Sequence, residues 1–516
     1  MLRFVRGLPA YLGRSISLDD AKATIRRGMQ RRATALIELV ERCVFGSPRS
    51  PYRALFAAAG CELDDFRTLV RRQGVEEALR TLYRSGIYVS FEEFKGLTPA
   101  VRGSQRFDFK SSDFDNPLIT ARVYSSSGGS RGHPSRIMID LDHYAQMAPH
   151  WAIWFAEHDV LSSPLVFLCP SYPGVVAHQL IAAKFGNRFV KWFSTGTGGG
   201  PTYRLVSACL QAAVRRAAHC PSPEPLAPHG FERVATYLVE WLATGARPAV
   251  NTPPSMAAEV ALAAGKAGLA LTGVTFLLGA EPLTPTRKAT IERSGARATV
   301  TYGFSEGGNV GNQCARAPLV DEVHVSLDTY AVIGRPTTAN ADGRSESLVM
   351  TALRPACPKV LLNAEIGDMA VLESGACDCA FGELGYVQRL HTIRSDQKLT
   401  GGGVTFLSAD VYHLLEETLP ARFGGGLGDY QLVEEQDAHG LPHYTLMVNP
   451  TLGPLSEDHV RSVFLGELGR LRRAYGFMVN QWAQDGQPTI ARRRPAYSAR
   501  GKFLPVRTLG PSRSRQ

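Results

Sequence analysis

No stretch of this chain reaches the roughly 18 consecutive apolar residues that a membrane-spanning helix needs, so neither a helical membrane protein nor a membrane partner is expected. Internal repeats and long low-complexity tracts are also missing. Cysteines are few for the length, nine in 516 residues, and most are scattered among apolar neighbours. That usage excludes a disulfide framework and points to a reducing, cytoplasmic setting. Acidic residues are absent before Asp19, a bias that transit peptides share. Residues 18–40, however, already read as an amphipathic helix, so the N-terminus is expected to belong to the fold. The net charge of +10 raises the question of nucleic acid, yet no zinc-finger, RNP-type or basic-zipper signature accompanies it. Much of the excess gathers near the ends, at Arg26, Arg27, Arg31 and Arg32 and at Arg492, Arg493, Arg494, Arg513 and Arg515. A solvated basic face serving an anionic substrate or an acidic carrier is therefore expected, with no nucleic-acid partner.

What is present is ordinary globular material, 44% hydrophobic and 20% charged, and too long for a single hydrophobic core. Residues 16–45 and 52–90 alternate helical patterns with charged turns. Between 118 and 300, short apolar runs such as Leu165-Val166-Phe167-Leu168 and Val274-Thr275-Phe276-Leu277-Leu278 alternate with alanine-rich helical stretches at 205–218 and 256–268. That rhythm predicts α/β layers with mainly parallel strands, starting from a strand-like run at 118–123. The proline-rich segment 221–228 reads as a loop, and 345–393 as short strands. After Asp396 a helix at 408–419, a strand at 444–448 and a helix at 457–475 suggest a small α+β domain.

Several segments carry chemistry. In the serine- and glycine-rich run 125–135, glycines let backbone N–H groups approach phosphate oxygens, and the hydroxyls of residues such as Ser127 and Ser130 add donors. It is not a Walker A motif, because no Lys-Ser/Thr follows its last glycine. A second cluster, Ser194-Thr195-Gly196-Thr197-Gly198-Gly199-Gly200-Pro201, reads as a structural loop. The run 299–306 predicts a strand ending in Tyr302-Gly303-Phe304-Ser305-Glu306. There the tyrosine ring can stack on a base, Gly303 permits the turn and Ser305 can donate to phosphate. Glu306 is a hard oxygen ligand suited to the Mg²⁺ of ATP. Cys314, His324, Cys377 and Cys379 offer three thiolates and one imidazole, a set suited to tetrahedral Zn²⁺ in a structural role.

Taken in order, these segments with Gly279-Ala280-Glu281-Pro282, Gly367-Asp368, Arg394-Ser395-Asp396 and Gly501-Lys502 resemble the adenylate-forming (ANL) superfamily, specifically its phenylacetate–CoA ligase-like branch. The resemblance spans roughly residues 50–510. It implies a phosphate loop at Ser127, Gly129, Ser130, Arg131 and Gly132, which departs from the family pattern at Gly128, Arg131 and Ser135. Arg131 replaces a usual threonine and could itself reach phosphate. It further implies that Gly279, Ala280, Glu281 and Pro282 pack on adenine, that Asp368 and Arg394 hold the ribose, and that Asp396 is the hinge. Lys502 would drive attack of a carboxylate on ATP. The aromatic that precedes Gly-Asp in the family is absent.

The implied fold is a large N-terminal α/β domain, with helical residues 1–110 and an AMP-binding core at 111–394, followed by a small mobile α+β lid at 395–516. The implied reaction joins ATP and a small-molecule carboxylic acid, an aryl or arylacetic acid by default, into an acyl-adenylate with release of pyrophosphate. Transfer to a thiol follows, most often coenzyme A. Ser50-Pro51-Tyr52-Arg53-Ala54-Leu55-Phe56 and Phe91-Glu92-Glu93-Phe94-Lys95-Gly96 also resemble acyl-protein synthetases, so a carrier-protein thiol or an amine stays open as acceptor. A nucleotide binder that has lost catalysis is the competing reading, and a monomer or homodimer is expected.

Overall fold

The structure, a computed structural model, describes residues 2–119, 123–126, 136–169, 175–194, 201–227, 230–336, 344–395, 399–401, 404–406, 408–436, 442–471, 475–497 and 503–508. Among these, a 12-stranded sheet organises the larger part. Pro223–Pro225, Phe189–Ser194, Leu165–Cys169, Ala249–Thr252, Thr275–Leu278 and Arg297–Phe304 run parallel in that spatial order. Leu165–Cys169 is buried at every position, as a strand covered by helices on both faces must be. From Arg297–Phe304 the sheet continues antiparallel through Gly308–Asn312, Val323–Val325, Gln388–Ser395, Ala364–Ser374, Glu346–Ala352 and Tyr330–Pro336.

Helices cover this sheet for legible local reasons. Asp140 caps Leu141–Glu157 by accepting from the His143 amide at 3.0 Å, and the helix buries Tyr144, Met147, Trp151, Trp154 and Phe155. Pro254 and Pro285 open their helices at the first turn, where a missing N–H costs nothing. The basic N-terminal helix Leu2–Leu12 buries Phe4, Leu8 and Tyr11, and the Tyr11 hydroxyl donates to the Leu180 carbonyl at 3.0 Å.

The structure corrects several local expectations. The helix expected at 18–40 divides into Leu18–Gln30 and Arg32–Leu39, followed by a π-turn at Val40–Phe45. The break falls at Arg31, whose backbone leaves helical geometry. The proline-rich 221–228 contains an edge strand, Pro223–Pro225, the sheet position that tolerates proline. The early strand begins only at Val123 and pairs with Arg136–Ile139.

The C-terminal part has its own sheet, ordered Thr489–Ala491, Pro442–Val448, Tyr430–Gln436 and Val506–Thr508. A helical stretch spans 408–423 with a π-turn at Leu414–Thr418. Of the helix expected over 457–475, Glu457–Leu471 is helical and 472–474 lie outside the described residues; a further helix spans Gly476–Gln484. Val411, Leu414, Tyr430, Tyr444, Phe464 and Trp482 form a core separate from that of the larger part.

Candidate active site

Two loops leave the carboxyl ends of neighbouring parallel strands, the place where open α/β sheets bind ligands. Gly279-Ala280-Glu281-Pro282 follows Thr275–Leu278, and Ser305-Glu306 follows the adjacent Arg297–Phe304. Ala280 is held at a φ of 68°, a left-handed conformation that costs an L-residue about 1–2 kcal/mol. Such strain persists where the surroundings over-determine it. Here Glu281 supplies the anchor: its side chain is 2% exposed and accepts from the Ser255 amide at 3.1 Å. The carboxylate expected beside adenine thus turns inward.

The second loop is shaped by close backbone approach. The ladder slips between Tyr302 and Gly303, and a Cβ on Gly303 would lie 2.5 Å from the Gly308 carbonyl. Gly308 has a φ of +85°, and a Cβ there would meet Met147 Sδ at 2.6 Å. Arg354, buried, holds this turn from below, donating from Nη2 to the Gly307 carbonyl at 2.8 Å and to the Tyr330 hydroxyl at 2.7 Å. Ser305 is exposed on the turn and Glu306 is buried.

The Tyr302 phenol donates to Asp368 Oδ2 at 2.9 Å, joining residues 66 apart in sequence. Asp368 lies opposite Ser395, and Met369 opposite Arg394, in the antiparallel ladder. Arg394 Nη1 is bound back to Asp321 Oδ2 at 2.9 Å. Asp321 also accepts the Thr392 and Ile393 amides at 3.0 and 2.8 Å. Tyr302, Asp368 and Arg394 are therefore brought to one region of the sheet, with the guanidinium pinned by a carboxylate that sequence reasoning missed.

Glu306 is ion-paired with Lys95, whose ammonium lies 5.5 Å from the centre of the Phe91 ring. Beside this pair, Lys359 donates to Asp115 Oδ1 at 2.5 Å and to the Ser111 carbonyl at 2.6 Å. Burial pushes the Lys359 ammonium down, against the opposing pull of Asp115. Lys95, Lys359 and Arg354 surround the glutamate turn with positive charge; Lys359 and Arg354 carried no sequence signal, and Lys95 was read only as part of the segment Phe91 to Gly96. Lys95 lies 211 residues from its partner.

The residues 127–135, Asp396 and Lys502 lie outside the described residues. The strands flanking 498–502 are described: Tyr497 pairs with Phe503, and buried Gln431 clamps both arms. Its Nε2 donates to the Ala496 and Leu504 carbonyls, each at 2.8 Å, and its Oε1 accepts from the Ala496 amide at 2.9 Å.

Away from this site, the ligand atoms of Cys314, His324, Cys377 and Cys379 all lie within 4.8 Å of one another. His324 Nδ1 lies 2.8 Å from the Tyr386 carbonyl. A proton there leaves the Nε2 lone pair facing the sulfurs, with Cys379 Sγ at 3.4 Å. Hydrogen bonding from Cys314, the largest cause, and from the Gly382 amide holds the Cys379 thiol well below its usual range, while the same contact raises that of Cys314. A thiolate set among donors, with an oriented imidazole, is the donor chemistry that zinc takes.

No protein-family model matches this sequence, and no curated protein does. Among solved structures, the chain is similar to 2-hydroxyisobutyryl-CoA ligase in the postadenylation state in complex with R3-HIB-AMP. Identity is 14%, 94% of this chain and 87% of that chain are covered, and the TM-score is 0.54. The same ligase in complex with 2-HIB-AMP in that state gives 13% identity, 94% and 87% coverage and a TM-score of 0.52. With 2-HIB-AMP and CoA in the thioesterification state the values are 14%, 94%, 88% and 0.50. At such identities the likeness is one of architecture: this chain has the fold of that CoA ligase, a large mixed α/β part carrying a smaller C-terminal sheet domain.

Proposed function

We propose that this chain is an adenylate-forming acid–thiol ligase of the phenylacetate–CoA ligase-like branch. It would activate a carboxylic acid with ATP and pass the acyl group to a thiol, coenzyme A first among the candidates. The observation that carries this reading is the Tyr302–Asp368 hydrogen bond at the carboxyl edge of the parallel strands. It joins an aromatic ring and a carboxylate near the Glu306 turn, which supports reading the three as one nucleotide site with Asp368 on the ribose. The shared fold supports it, as does the order of the sequence segments.

In this reading the acid's carboxylate oxygen attacks the α-phosphorus of ATP, and the bond to pyrophosphate breaks with its electron pair leaving on pyrophosphate. Tyr302 stacks on the base with Gly279, Ala280 and Pro282, while Asp368 accepts the ribose hydroxyls. Ser305 and the 127–135 loop donate to phosphate. Lys502 neutralises charge as it develops. The thiol sulfur then attacks the acyl carbon, its proton passes to solvent, and AMP leaves with the carboxylate's oxygen. Mg²⁺ bound with ATP would be held by Glu306 and would offset phosphate charge; Lys95 is the cation on that carboxylate here. Zn²⁺ would be held by Cys314, His324, Cys377 and Cys379, tying Val323–Val325 to the helix Ala380–Glu383. Division at 110 and near 394, with Asp396 as hinge, belongs to the same proposal.

The test is acid-dependent pyrophosphate release across aryl, arylacetic, fatty and short hydroxy acids, with and without coenzyme A. Release with one acid class, raised by coenzyme A, is expected. ATP binding by calorimetry with no release for any acid would reject catalysis. Tyr302→Phe removes one hydrogen bond worth about 1 kcal/mol and is expected to weaken ATP binding roughly fivefold; unchanged affinity would take the Tyr302–Asp368 pair out of the site.

A further inference from the structure

A buried three-charge cluster joins the two parts of the chain. Arg287, on the helix Pro285–Arg293, donates from Nη2 to Glu416 Oε1 at 2.7 Å. Its Nη1 lies 3.7 Å from Glu281 Oε2 and donates to the Pro282 carbonyl at 2.9 Å. The side chains of Arg287, Glu281 and Glu416 are 2%, 2% and 3% exposed. Glu281 and Pro282 belong to the loop beside the proposed nucleotide site, whereas Glu416 belongs to the first helical stretch of the C-terminal part. Tyr412, on the same stretch, is half-buried near these charges. Close by, Tyr497 approaches Glu259 at 3.4 Å, and Phe503, the neighbour of Lys502, lines a small cavity with Ser255 and Arg287.

Glu416 makes the direct hydrogen bond to the guanidinium and Glu281 stands farther off, while burial pushes the Glu416 carboxyl up against the opposing pull of Arg287 and of a hydrogen bond from Thr284. Arg287 Nε, Glu281 Oε1 and Glu416 Oε2 have no partner among the described residues. If the C-terminal part lifts, Glu416 carries its charge into solvent and leaves behind a neutral Arg287–Glu281 pair. Lifting therefore exposes one charge and does not strand a lone buried one. We propose that the Arg287–Glu416 pair is a latch. It seats the C-terminal part, with Tyr497 and Phe503, against the core, and through Glu281 it couples that seating to the nucleotide loop. Glu416 is a positioning residue for adenylate formation and not for the later acyl transfer.

The activity arm rests on the proposed function; the scattering arm does not. Glu416→Gln keeps the side chain's size and removes its charge. Substrate-free Glu416→Gln is expected to show a larger radius of gyration by small-angle X-ray scattering than the natural chain, with an unchanged melting profile for the larger part. Single-turnover adenylate formation should slow about tenfold, with transfer from preformed acyl-adenylate to the thiol unchanged or faster. Glu416→Asp, which keeps the charge at shorter reach, should fall between. Identical scattering together with equal loss, or no loss, in both half-reactions overturns the latch. If the natural chain adenylates no acid, the functional reading fails, and scattering alone decides the latch: expansion supports it and identity overturns it.

Discussion

Replacing Lys502 with alanine is expected to lower acid-dependent pyrophosphate release by about two to three orders of magnitude, the usual cost of losing one group aimed at developing charge. Nucleotide affinity should change little, because Tyr302, Asp368 and the loop around Ala280 remain. Residue 502 is not itself described, but the strands on either side of 498–502 are tied together by Gln431 and by the Tyr497–Phe503 pairing. The residues flanking 498–502 are therefore fixed to the small sheet, and Phe503 lines the small cavity beside Arg287. In the proposed mechanism Lys502 acts on the α-phosphate only when the two parts are seated. If the alanine variant adenylates at the natural rate, the cation comes from elsewhere, and Lys95 and Lys359 near Glu306 become the groups to examine.

Cys379→Ser should have the second large effect. Protein purified without chelator is expected to hold about one zinc per chain, and the variant well under one. Its melting temperature should drop on the order of 5 °C, because the metal's binding energy is also folding energy. Cys220, buried but apart from the cluster, provides the control: Cys220→Ser should keep its metal. Natural protein with well under one zinc would leave the four side chains as a thiol–imidazole hydrogen-bond cluster. Chelation should slow adenylation only as fast as it loosens the structure, since all four ligands come from the protein and the cluster lies apart from Tyr302 and Glu306.

The parallel half of the fold was legible because buried strands announce themselves: Leu165-Val166-Phe167-Leu168 is apolar throughout and covered on both faces. The segment Tyr302 to Glu306 was legible because a strand ending in an aromatic, a glycine and a carboxylate has few other uses. The four zinc candidates could be read from ligand chemistry alone, although 63 residues separate Cys314 from Cys377 in the sequence. What escaped was set by distance along the chain. Lys95 meets Glu306 across 211 residues, and Arg287 meets Glu416 across 129. No local pattern encodes such pairs. The break at Arg31 was hidden for a different reason, since the residues on both sides are good helix formers. The strand Tyr430–Gln436 is buried from Tyr430 through Glu434, and its polar residues Gln431, Glu434, Glu435 and Gln436 hid it. Pro223–Pro225 was hidden by its prolines, which an edge position tolerates.

The central claim is that a carboxylate oxygen becomes bonded to the α-phosphorus of ATP. The direct measurement uses whichever acid supports pyrophosphate release, labelled with ¹⁸O in its carboxyl group, followed by mass spectrometry of the nucleotide product. One labelled oxygen in AMP is the predicted result, because the bridging oxygen stays with phosphorus when the thiol takes the acyl group. Unlabelled nucleotide with the label in inorganic phosphate would mean attack at the γ-phosphorus, and would contradict the account.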